Sequence, residues 1–159
     1  MSVKSRILLS IALLRELHNK IEYYKIVVDN NIRRAEILSK QIGDRKKNFE
    51  KEIQSLELLK KRLNSIDIFL ENIILKLETF MNLGHAMFFG VVIRELAKEL
   101  KKLIKGSIPI MEVYLDNLTR ISNDLINFAA MESNSTTFAS LVPEAKKIIE
   151  EAKKVAGIV

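Results

Sequence analysis

The sequence predicts an all-α protein: a long antiparallel helical hairpin with shorter amphipathic helices packed on it. Three observations carry this. Five glycines and two prolines in 159 residues are too few for a turn-rich β protein or a disordered linker. Apolar residues recur at alternating spacings of three and four along two segments of about 40 residues each. Four of the five glycines, Gly43, Gly84, Gly106 and Gly157, fall where such a pattern stops, as expected for helix C-termini.

These marks divide the chain into helices over roughly 3–42, 45–82, 86–105, 109–131 and 143–156. Asp44 is a candidate N-cap of the second. Pro109 and Pro143 suit first turns, where a missing N–H costs nothing. The first helix carries Leu14, Leu17, Ile21, Tyr24, Val28, Asn31, Ala35, Leu38 and Ile42 as its seam. The second carries Leu56, Leu59, Leu63, Ile66, Leu70, Ile73, Leu77 and Phe80. This 3.5-residue repeat belongs to a left-handed coiled-coil seam. A short connection near residues 42–46 makes the pair antiparallel. At 1.5 Å per residue each helix runs about 60 Å, longer than a compact globule of this size is wide (roughly 40 Å). A rod is therefore expected.

Phe89, Ile93, Leu96, Leu100 and Leu103 line the third helix, and Met111, Tyr114, Leu118, Ile121, Leu125 and Phe128 the fourth. Ala145, Ile148, Ala152 and Val155 line the last. Residues 68–77 of the second helix are apolar around nearly its whole circumference. That stretch is either intramolecular core or partly covered by a neighbouring subunit, with Ile68 and Phe69 as candidate contacts. The expected organisation is a helical core over 1–132, a flexible linker over 133–142 and a C-terminal helix over 143–157.

The composition excludes several chemistries. Without cysteine there is no disulfide, thiol nucleophile or thiolate metal site. His18 and His85 are the two histidines; neither follows an acid three residues earlier, so no Glu-x-x-His di-iron pair exists. No glycine-rich phosphate loop occurs. The protein is expected to be no enzyme and to hold no cofactor or metal. The apolar run Ile7 to Leu14 is too short to span a bilayer, and a soluble or peripheral cytoplasmic protein is expected. Asn117 and Asn134 head glycosylation sequons, read as chance matches.

Charge is sorted along the chain. Residues 1–62 hold 15 Lys/Arg and eight Asp/Glu, a net +7; residues 63–159 hold 11 and 12, a net −1. It is also sorted by face. With Leu14 and Leu56 at heptad position a, Glu22, Asp29, Glu36, Glu57 and Glu71 occupy b. Lys20, Lys25, Arg33, Arg34 and Lys40 occupy e, f or g. Such strips either form salt bridges within the hairpin or serve surfaces: lipid for the basic flank, a neighbouring rod for the acidic one. The candidate membrane-binding set is Lys4, Arg6, Arg15, Lys20, Lys25, Arg33, Arg34 and Lys40; the candidate acidic subunit contacts are Glu22, Asp29, Glu36, Glu57 and Glu71. Val3 to Leu14, flanked by Lys4, Arg6 and Arg15, either lies in the headgroup boundary or extends the seam through Ile7 and Ile11. Low aromatic content and no helix-turn-helix or zinc pattern argue against nucleic acid.

Three segments carry a family resemblance: Leu75-Lys-Leu-Glu-Thr-Phe-Met-Asn-Leu-Gly84, Leu103-Ile-Lys-Gly-Ser-Ile-Pro109, and Glu144 through Ala156. In order and spacing, over most of residues 10–156, the chain resembles the ESCRT-III family, in particular its archaeal cell-division branch, the CdvB paralogues. The resemblance implies a long hairpin, an open–closed change in the later helices, and polymerisation with itself and paralogous subunits. It also implies an anionic membrane partner on the inner face of the cell membrane at the division site, a role in membrane remodelling or scission, and subunit removal by a CdvC-type AAA ATPase. Larger relatives carry a proline-rich ATPase-docking segment after the last helix; this sequence stops at Gly157-Ile-Val159, so a short paralogue linked only indirectly to that ATPase is expected. The alternative is a coiled-coil scaffold or dimeric membrane-binding module that does not polymerise. The last helix sets Glu144, Glu150 and Glu151 against Lys146, Lys147, Lys153 and Lys154, so charge gives it no reason to dock on the basic hairpin; apolar contact through Ile148, Ala152 and Val155 is expected to hold it, in easy exchange with a free state.

Overall fold

A computed structural model describes residues 2–41, 46–81, 85–105, 108, 111–132 and 138–158. These form five helices: α1 (Val3–Gln41), α2 (Lys46–Met81), α3 (Ala86–Ile104), α4 (Met111–Glu132) and α5 (Phe138–Val155). The four earlier helices end within two residues of their expected bounds. The expected roles of Gly43, Asp44, Gly84, Gly106 and Pro109 lie outside the described residues.

α1 is an unbroken helix of 39 residues, about 58 Å long at 1.5 Å per residue. It packs along α2 in antiparallel register. Arg15 meets Glu78, His18 meets Glu71, Lys25 meets Asp67 and Asp29 meets Lys60, so partner numbers fall as α1 advances. The seam is close to the sequence expectation. Leu14, Leu17 and Ile21 are fully buried in α1, as are Leu70, Ile73 and Leu77 in α2. One register differs: Ile32 is buried where Asn31 was expected, and Asn31 faces water. A four-residue step from Val28 to Ile32 keeps the seam apolar and avoids burying an amide without partners.

α3 is the centre of the other end of the molecule. It packs chiefly on α4 and α5, and also touches both hairpin helices. Val91, Val92, Ile93, Leu96, Ala97 and Leu100 are all buried, so the first half of α3 is covered around its circumference, while Lys98, Lys101 and Lys102 keep one face of its second half in water. Gly90 permits this. A Cβ there would meet Ile126 Cγ1 at 3.0 Å and Leu125 Cβ at 3.1 Å, so α3 and α4 cross at the glycine. Arg62 of α2 donates to the Leu103 carbonyl and satisfies an otherwise orphaned acceptor at the α3 C-terminus.

α5 differs from its expected form in two ways. It begins at Phe138, so it occupies half of the expected 133–142 linker, and Pro143 lies inside it rather than opening it. Leu141 and Val142, half-buried against the core, hold this early turn in place. Its docked face is Ala145, Ile149, Ala152 and Ala156, while Val155 is exposed and Ile148 half-buried. Three alanines allow close approach to α3. Charge also contributes: Lys153 Nζ lies 2.8 Å from Glu99 Oε1 with both side chains largely buried, and Glu99 holds the ammonium above its usual pKa against the desolvation cost. The helix ends as expected at Gly157, whose φ of 71° is the left-handed conformation glycine favours. Ile158 N–H donates to Lys153 O at 2.9 Å and Gly157 N–H to Lys154 O at 3.1 Å, a Schellman ending.

Candidate membrane and subunit interface

The two ends of the hairpin differ in what covers them. From Leu63 to Leu77, α2 is wedged between α1 and the later helices. Among the described side chains of 46–62 none is fully buried, and Ala35 is the last buried residue of α1. The distal half is thus a bare two-helix stalk held by half-buried Ile53, Leu56 and Leu59. Residues 29–62, which span it, hold ten Lys/Arg against six Asp/Glu, a net +4.

The structure sorts the expected basic residues. Lys4, Lys20, Arg33, Arg34 and Lys40 are exposed and have no ion-pair partner among the described residues. Arg15 is exposed but pairs with Glu78 across the hairpin. Arg6 is half-buried, its guanidinium 4.2 Å from the Phe128 ring centroid, a cation–π contact that ties α1 to α4. Lys25 leaves the lipid-facing set. Its side chain is 20% exposed and its ammonium lies 3.1 Å from Glu22 Oε1 and 3.2 Å from Asp67 Oδ2. Those two acids raise its pKa although burial opposes them.

The acidic set divides likewise. Glu22 is taken by Lys25, Asp29 by Lys60 at 2.6 Å, and Glu71 by His18 at 3.1 Å. Polar contacts within the hairpin therefore account for three of the five. Glu36 and Glu57 stay exposed without an ion pair among the described residues. Phe69 is fully buried and cannot meet a neighbour in this conformation, because α2 turns it inward to the bundle; Ile68 is 45% exposed and can. Near the N-terminus the seam extends through buried Ile7 and Ile11, while Leu8 and Leu9 face outward. The outer face of α1 continues with exposed Tyr23, Ile26 and Ile37, so its cations are interleaved with apolar side chains.

One cluster escaped sequence reading. His18 Nε2 lies 2.7 Å from Asp67 Oδ1 and 3.1 Å from Glu71 Oε1. Burial pushes the Asp67 carboxyl up to about 6, reinforced by its hydrogen bond with Glu22 and opposed by Lys25. Glu22 falls below its usual value, first through the bond with Asp67 and then through Lys25. The available signal was the Asp67/Glu71 spacing of four on α2, which puts both acids on one helix face opposite a histidine on α1.

This arrangement defines a class: an all-helical protein with a long charged hairpin and short helices closed over one end. No described helix is long and apolar enough to cross a membrane. The chain is similar to Cell division protein B1 of Sulfolobus acidocaldarius, 29% identical over 112 residues, covering 68% of this chain and 51% of that protein. It therefore spans about half the length of that relative. No protein-family model and no solved structure matches the chain.

Proposed function

We propose that this chain is an ESCRT-III-like subunit of the archaeal cell-division type that polymerises on the inner face of the cell membrane, with paralogous subunits, to remodel it. The observation that carries this reading is the bare basic stalk on a hairpin whose relative by sequence is a cell division protein. Lys20, Arg33, Arg34 and Lys40 supply the lipid-facing charge, at about 1 kcal/mol each near an anionic surface. Glu36, Glu57 and Ile68 are the remaining candidates for subunit contact. Subunit removal by an AAA ATPase of the CdvC type belongs to the same reading. A coiled-coil scaffold that never polymerises is the competing reading.

Arg33→Glu combined with Arg34→Glu is expected to lower co-sedimentation with anionic liposomes at physiological salt by roughly tenfold or more while far-UV helicity persists, since four units of charge change sign or vanish at the surface. Unchanged binding removes the lipid claim. Negative-stain microscopy of the same samples tests assembly: filaments or tubulated liposomes support it, and a single sharply sedimenting species at every concentration supports the scaffold instead.

A further inference from the structure

The hairpin carries a built cluster that neither lipid nor subunit contact uses. Asp67 is 6% exposed. Its Oδ2 accepts from Lys25 Nζ at 3.2 Å, which fixes the carboxylate. Its other oxygen, Oδ1, is buried without a hydrogen bond of acceptable geometry, yet sits 2.7 Å from His18 Nε2. Glu71 Oε1 approaches the same nitrogen at 3.1 Å. An imidazole nitrogen carries at most one hydrogen, so it cannot serve both acids. Two carboxylate oxygens and one ring nitrogen thus converge on a small volume, all three within 4.8 Å of one another.

We propose that His18, Asp67 and Glu71 form a three-ligand site for a borderline divalent cation of the Zn(II) type that clips α1 to α2. Tetrahedral bonds of 2.0–2.1 Å set ligand atoms about 3.3 Å apart. The Glu71 contact is already close to that, and the Asp67 contact needs to open by only about half an ångström. Lys25 on Oδ2 is the outer partner that leaves Oδ1 to the ion. With Glu22 included, three carboxylates face the single Lys25 ammonium, an excess of two negative charges that a dication balances. Entry is open: a groove of about 520 Å³ is lined by His18, Glu71, Arg15, Asn19 and Glu78. It leaves room for water as the fourth ligand. Binding places the His18 proton on Nδ1 and displaces any proton held by Asp67 to solvent. The imidazole selects against Mg(II) and Ca(II), which prefer all-oxygen shells.

The test uses the untagged full chain, stripped with chelator, at pH 7.5. Zn(II) calorimetry is expected to give one ion per chain, and Co(II) a visible d–d band at the same stoichiometry. His18→Gln and Glu71→Gln, both at partly exposed positions, are each expected to weaken Zn(II) binding at least tenfold with helicity intact, and His85→Gln to leave it unchanged. In wild-type protein, Zn(II) is expected to shift the His18 Nε2 ¹⁵N resonance and leave Nδ1 protonated. No saturable uptake, uptake retained in His18→Gln, loss in His85→Gln, an unmoved Nε2 resonance, or equal competition by Mg(II) each overturns the site.

Discussion

The two halves of the hairpin share a heptad pattern but not a fate. Leu63 to Leu77 of α2 lie in a core closed by α3, α4 and α5, whereas Ile53, Leu56 and Leu59 are only half-buried against α1. The same repeat therefore yields a rigid core at one end and an accessible stalk at the other. Periodicity fixes which face meets the partner helix; the number of further helices decides how deeply that face is buried. Stability is concentrated in the bundle, whereas the stalk has few buried contacts to protect from its surface charge.

The contrast is sharpest in core deletions. Leu96→Ala empties a fully buried site on the central helix and is expected to cost about 2–5 kcal/mol. Leu59→Ala on the stalk is expected to cost about 1 kcal/mol, because its side chain already meets water. Urea unfolding followed by circular dichroism measures both, and equal losses would mean that the stalk is not marginal.

Gly90→Ala is a smaller probe of the bundle alone. Alanine improves helix propensity by about 1 kcal/mol, but its methyl would sit 3.0 Å from Ile126 Cγ1 and 3.1 Å from Leu125 Cβ. Overpacking in a dense core costs typically 1–3 kcal/mol, so a net loss of about 1 kcal/mol is expected. A midpoint that rises instead would show that α3 and α4 can separate freely.

Much of this was legible in the chain. The alternation from Leu14 to Phe80 gave the hairpin, and Gly157 marked the end of α5. What was not legible depended on partners distant in sequence. Lys25 and Arg33 look alike as lysine and arginine on a heptad flank; only the placement of Asp67 separates a buried ion pair from a surface cation. Pro143 looks like a helix start, yet Leu141 and Val142 find partial cover on the core and extend the helix ahead of it. The His18 cluster required the register of two helices, which periodicity leaves ambiguous to within a turn.

α5 is the bundle element whose attachment is weakest, since three of its four fully docked side chains are alanine. Its link to Glu99 through Lys153 is correspondingly important. The Lys153 pKa is raised in the folded protein, first by Glu99. Its contribution is therefore complete below the unfolded value of about 10.5 and fades as pH climbs through the higher folded value. Lys153→Met keeps the side-chain bulk and removes the charge. At pH 7.5 it is expected to speed amide exchange across residues 143–156 about fivefold, equivalent to about 1 kcal/mol, with little change in α1 or α2. In thermal melts the gap between wild type and Lys153→Met is expected to hold steady to about pH 10 and to narrow above it. A gap that widens with alkali would mean that the Glu99 pair does not hold the helix down, leaving the alanine face and Ile149 to do so alone.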